Sequence, residues 1–122
     1  MKKNLIRPDA SLEPLEINIE ENKYICKIQI IDELIYTNII LYNKVKYKGR
    51  IFLEKIQSQI KAFFDYNIYE IFEEINHLNS NNFSLINEYK QYKLRIKFTI
   101  LRKEKYIFID LNENKLNNFL YI

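Results

Sequence analysis

Cys26 and His77 are the chain's only cysteine and only histidine, the residue types from which nucleophilic and metal chemistry is most often built. A zinc site needs three or four nitrogen, sulfur or oxygen ligands at suitable spacing. These two residues fall on different predicted elements, with nothing nearby to complete a set. As a thiolate–imidazole pair they fare no better. Cys26 occupies an apolar position in an alternating run, where a cysteine reads as a small core residue, and apolar surroundings raise a thiol pKa and make it inert. His77 lies at the end of a predicted helix, where an imidazolium suits the C-terminal dipole. No catalytic residue, metal or cofactor is assigned.

Phosphate chemistry is limited by glycine. Loops that cradle phosphates need several, because only glycine lets the backbone approach so closely, and Gly49 is the only one. The carboxylates Glu70, Glu73 and Glu74 share one predicted helix. The adjacent pair Glu73 and Glu74 project about 100° apart and do not form an acid–base couple. These three read as a solvated face and as a second candidate contact surface.

The most suggestive chemistry is basic. Lys93, Arg95 and Lys97 lie on one side of a predicted strand, because side chains alternate across it. Arg102, Lys103 and Lys105 follow in what reads as a charged turn, and Tyr89 and Tyr92 precede them. Cations near aromatic rings suit phosphate contact and base stacking. The same residues also suit the solvated face of a sheet, with lysines guarding its edges.

The elements that must position these groups follow from periodicity. Leu15, Ile17 and Ile19 alternate with polar residues, as do Tyr24, Cys26, Ile28 and Ile30, which predicts a hairpin across Glu20-Glu21-Asn22. Residues 34–42 predict a strand and Asn43-Lys44 a turn into a further strand at Val45–Lys48. Gly49 then marks a positive-φ turn or a helix entry. Phe52, Ile56, Ile60 and Phe63 form one helical stripe. Ile68, Ile71, Phe72, Ile75 and Leu78 form a second, with Asn67 capping it and Glu70 completing a capping box. Asn79-Ser80-Asn81-Asn82 predicts an exposed loop. Leu94, Ile96, Phe98 and Ile100 alternate with Lys93, Arg95, Lys97 and Thr99. This strand leads through Arg102-Lys103-Glu104-Lys105 into another at Tyr106–Leu111, after which Asn112 caps a short helix through Leu116, Phe119 and Leu120. Pro8 and Pro14 disfavour helix near the start, so residues 1–13 read as an extended arm and 14–122 as one domain. The expected fold is α+β, an antiparallel sheet of five to six strands with one or two central helices on one face.

At 122 residues, 48% hydrophobic and 29% charged, the composition is that of one globular domain. Abundant Ile, Asn, Lys and Tyr with little Gly match an AT-rich coding background. Charge divides by segment. Residues 1–53 carry 9 basic and 7 acidic groups, residues 54–88 carry 2 and 6, and residues 89–122 carry 8 and 3, for a net charge of +3. Arg7, Asp9 and Glu13 interrupt any signal-peptide core after Met1-Lys2-Lys3, and no apolar run approaches the ~18 residues a membrane span needs. A single thiol and these absences predict a cytoplasmic protein. The profile predicts a small non-catalytic module that masks a protein or protein–nucleic-acid complex, as inhibitors, immunity proteins and anti-defence proteins do. The alternatives are direct nucleic-acid binding by the basic C-terminal hairpin, and an enzyme without a recognisable motif.

Overall fold

The computed structural model describes residues 9–19 and 21–114. Eight strands, β1 (Ala10–Ser11), β2 (Leu15–Ile19), β3 (Asn22–Ile31), β4 (Leu34–Leu41), β5 (Lys44–Ile51), β6 (Phe83–Glu88), β7 (Gln91–Ile100) and β8 (Lys103–Glu113), form one antiparallel sheet. Two helices, α1 (Leu53–Gln59) and α2 (Ile68–Asn76), connect β5 to β6. The sheet runs β1-β3-β4-β5-β8-β7-β6, with β2 also on β3. The α+β architecture matches expectation, but the strand count exceeds five to six for two reasons. Pro14 cannot donate to a ladder, so one edge strand along β3 divides into β1 and β2. Between the asparagine-rich segment and β7, β6 adds a strand whose period is short and partly polar.

Alternation builds the core. Cys26, Ile28 and Ile30, then Ile35, Thr37 and Ile39, then Leu94, Ile96 and Phe98, then Ile107, Ile109 and Leu111 all point to the helix side and are buried. The largest fully buried side chains are all isoleucines except Leu94. A β-branched side chain packs well on a pleated surface, so the isoleucine-rich composition serves this fold. The helices cover that face with Ile56, Ile71, Phe72 and Ile75, and Phe63 meets Phe98 edge to face at 5.3 Å. The sheet curls around them until β2 and β6, its two margins, come into contact.

The predicted break between the helices is present. Asn67 accepts from the Glu70 amide and Glu70 from the Asn67 amide, each at 2.8 Å, which closes the capping box. The first helical stripe is only partly a helix. α1 ends at Gln59, and Lys61–Phe63 form a 3-10 turn. Gln57 secures this tightening by donating to the carbonyls of Phe63, Phe64 and Tyr66 at 3.1–3.3 Å. Ser80–Asn82 likewise form a 3-10 turn, tied down by Asn82 donating to the Lys97 carbonyl at 3.0 Å.

Several local expectations are corrected. Gly49 has no positive φ and lies within β5. A Cβ there would sit 2.4 Å from the Asp110 carbonyl oxygen and 2.9 Å from a Leu111 methyl, so glycine is required by close backbone approach. The β4–β5 turn is Tyr42-Asn43, one residue earlier than predicted, and the β7–β8 turn is Leu101-Arg102 alone. Asn112 pairs with Lys48 inside β8 and so cannot cap a helix. The helix expected through Leu116, Phe119 and Leu120 lies outside the described residues.

Candidate functional site

The face of the sheet turned away from the helices collects the basic residues of β7. Lys93, Arg95 and Lys97 stand there side by side, as alternation requires, and β8 sets Asp110, Phe108 and Tyr106 directly opposite them. Ile86 and Ser84 of β6 flank the other side. Beyond β8 the same face continues to Lys48 and Arg50 of β5 and to Tyr36 and Asn38 of β4. A shallow groove of about 580 Å³ runs there, lined by these four residues with Asp110 and Asn112.

On β7 two of the three cations of this face, Lys93 and Lys97, are paired with carboxylates. Lys93 lies 3.6 Å from Glu88 and 4.0 Å from Asp110, and Lys97 lies 3.6 Å from Glu104. Arg95 stacks over the Tyr106 ring at 4.9 Å, and Tyr106 donates its hydroxyl hydrogen bond to Glu104 at 2.7 Å. That hydrogen bond, helped by Lys97, holds the Glu104 carboxyl below its ordinary range, and the same bond raises the Tyr106 hydroxyl. Such exposed ion pairs add little to stability. Their larger effect is to convert a basic strip into a mixed surface of arginine, aromatic ring and balanced charge. Phe108 extends it, with its ring 6.2 Å from that of Tyr106 and 36% of its surface exposed.

The remaining candidates divide between other locations. Arg102 is a turn residue, while Lys103 and Lys105 begin β8 on the helix side, opposite Ile100 and Phe98. Tyr89 sits fully exposed at the β6–β7 tip with φ 54°. Tyr92 points to the helix side and packs against Tyr47 at 4.5 Å, where burial and the bond with Tyr92 raise the Tyr47 hydroxyl. Of the acidic group, Glu70 is held by the capping box, Glu73 borders a small cleft between α2 and β1, and Glu74 is exposed. Sequence reasoning did not single out Glu88, Glu104, Tyr106, Phe108 and Asp110. For the last four the signal lay in the alternate positions of β8, while Glu88 lies at the end of β6 and reaches Lys93 of the neighbouring strand.

Cys26 is fully buried, 3.5 Å from the Thr37 hydroxyl, and burial raises its thiol to about 11. It is a core residue. His77 forms the C-cap of α2, its amide donating to Glu73 and Glu74 at 3.2 Å. Among the described residues no group of three or more His, Cys, Asp and Glu is gathered to hold a metal. None of their helices is long and apolar enough to cross a membrane. No protein-family model and no curated protein matches the chain.

Proposed function

We propose that this protein is a non-catalytic, cytoplasmic binding module that masks a protein partner through the outer face of its sheet, in the manner of a stoichiometric inhibitor or immunity protein. The supporting observation is the Arg95–Tyr106 stack beside Phe108, set among cations already matched by Glu88, Glu104 and Asp110. Arginine and aromatic rings are enriched at protein interfaces, where they act as anchors. A polyanion, by contrast, is held by unmatched cations that release counterions. Extent also matters. Three strands at about 4.8 Å spacing and eight residues of about 3.4 Å give about 400 Å², half the roughly 800 Å² per partner of a standard interface. The contact therefore continues across β8 onto Tyr36, Lys48 and Arg50. The test is affinity capture from cells that naturally make the protein, with and without nuclease. A partner retained after nuclease and lost with the Arg95→Glu, Phe108→Ser double variant supports the proposal. A partner lost on nuclease treatment contradicts it.

A further inference from the structure

A second surface lies where the sheet comes apart, along the edge of β8. β5 and β8 are paired only from Tyr47 to Gly49, against Leu111 to Glu113. Before that point in β8, among the described residues, the strand has β7 on one side and no strand on the other. Backbone groups that point away from β7 are thus left for another partner. At Phe108 the partner is a side chain: Phe108 donates to Gln59 Oε1 at 2.8 Å and accepts from Gln59 Nε2 at 3.2 Å. Antiparallel pairing alternates, so Tyr106 and Glu104, two and four residues back, turn their N–H and C=O the same way. Among the described residues no ladder or side chain meets them.

This open edge borders a groove of about 500 Å³, lined by Ser58, Gln59, Ile60, Lys61 and Ala62 on one wall and by Ile100, Leu101, Lys103 and Lys105 on the other. Among the described residues Lys61, Lys103 and Lys105 have no ion pair and no carboxylate lines the groove. Its remaining lining is largely aliphatic, with Leu101 90% exposed. We infer that the open edge of β8 from Glu104 to Tyr106 accepts an extended segment of a partner protein, one that alternates acidic and aliphatic residues. Main-chain bonds to an exposed edge supply the affinity in such strand addition, and pockets for alternate side chains supply the selectivity. Side chains of an added strand alternate between the two faces of the sheet, so its carboxylates would meet Lys61, Lys103 and Lys105 on the helix side and its aliphatic side chains would lie on the other face beside Tyr106. Two other occupants are disfavoured, one by charge and one by the absence of stacking partners. A second copy pairing edge to edge would oppose Lys103 and Lys105 to the same lysines, the usual guard against self-association. A single-stranded nucleic acid would need rings for base stacking, and among the described residues none lines the groove.

The test is amide hydrogen exchange on the intact protein with a capped seven-residue peptide alternating glutamate and valine. At a peptide concentration ten times its Kd, the Glu104 and Tyr106 amides are expected to slow about tenfold. The Lys103→Glu, Lys105→Glu variant is expected to lose this protection while its core amides stay protected. A peptide alternating lysine and valine should protect nothing. Unchanged exchange at Glu104 and Tyr106 with the acidic peptide overturns the inference. So does equal protection by the lysine peptide, or protection by a short oligonucleotide in its place.

Discussion

The Gln59 carboxamide stands in for a strand residue beside Phe108, exchanging with its backbone the two hydrogen bonds that a ladder partner would make. The need arises because Gly49 marks the last contact of β5 with β8. From there the chain turns into α1, which brings Gln59 back against the strand that β5 has left. Gln59→Ala removes both bonds. At about 0.5–1.5 kcal/mol per bond, urea denaturation is expected to show a loss of about 1–3 kcal/mol, with the Phe108 amide exchanging faster. Wild-type stability in this variant would mean that water replaces the side chain without cost.

Four two-residue hairpin turns among the described residues are built from non-glycine residues at positive φ: Asp32-Glu33, Tyr42-Asn43, Tyr89-Lys90 and Leu101-Arg102. Asn-Gly is the favoured pair in such turns, and the left-handed conformation costs an ordinary residue about 1–2 kcal/mol. Tyr89 is fully exposed, so its ring recovers none of that cost through burial. Tyr89→Asn with Lys90→Gly is expected to raise stability by about 1 kcal/mol, read as a shifted urea midpoint at constant slope. A lower midpoint would show that the tyrosine ring supports the turn.

Cys26 predicts an alkaline weakness. Its thiol is raised from 9.0 to about 11 by burial, so the folded state holds the proton more tightly than the unfolded chain does. The stability tied to this group is complete below pH 9 and is lost as pH rises towards 11. At about 1.36 kcal/mol per pH unit, that loss is about 2–3 kcal/mol. Cys26→Ala should start less stable because of the cavity it leaves, yet decline less steeply between pH 9 and 11. A thiol reagent should label the wild type only as fast as the protein opens. Equal slopes in the two proteins, or rapid labelling at pH 8, would contradict a buried thiol.

Much of this was legible from spacing. The alternation at Leu94, Ile96 and Phe98 placed Lys93, Arg95 and Lys97 on one face, and Asn67 with Glu70 located the start of α2. What resisted was register. Reading Arg102–Lys105 as the turn keeps the faces of β8 correct but slides it by four residues, opposing Lys97 to Asp110 where the structure opposes it to Tyr106. The ion pairs and the Arg95 stack depend on that register, so a basic strip could be read from β7 while its neutralisation could not. Gly49 misled for a related reason. A lone glycine signals either a positive φ or a close approach, and the approaching group belongs to Asp110, distant in sequence.

The matching of Lys93 and Lys97 by carboxylates on the outer face is measured most directly by titrating nucleic acid across a salt series. Wild type is expected to bind single- and double-stranded DNA or RNA weakly, with little salt dependence. The Glu88→Gln, Glu104→Gln, Asp110→Asn variant frees Lys93 and Lys97 and should gain salt-dependent binding, its slope steepening by about 0.7–0.9 per phosphate neutralised. Tight, steeply salt-dependent binding by the wild type, left unchanged in the variant, would contradict a protein-binding face and return the surface to a nucleic acid.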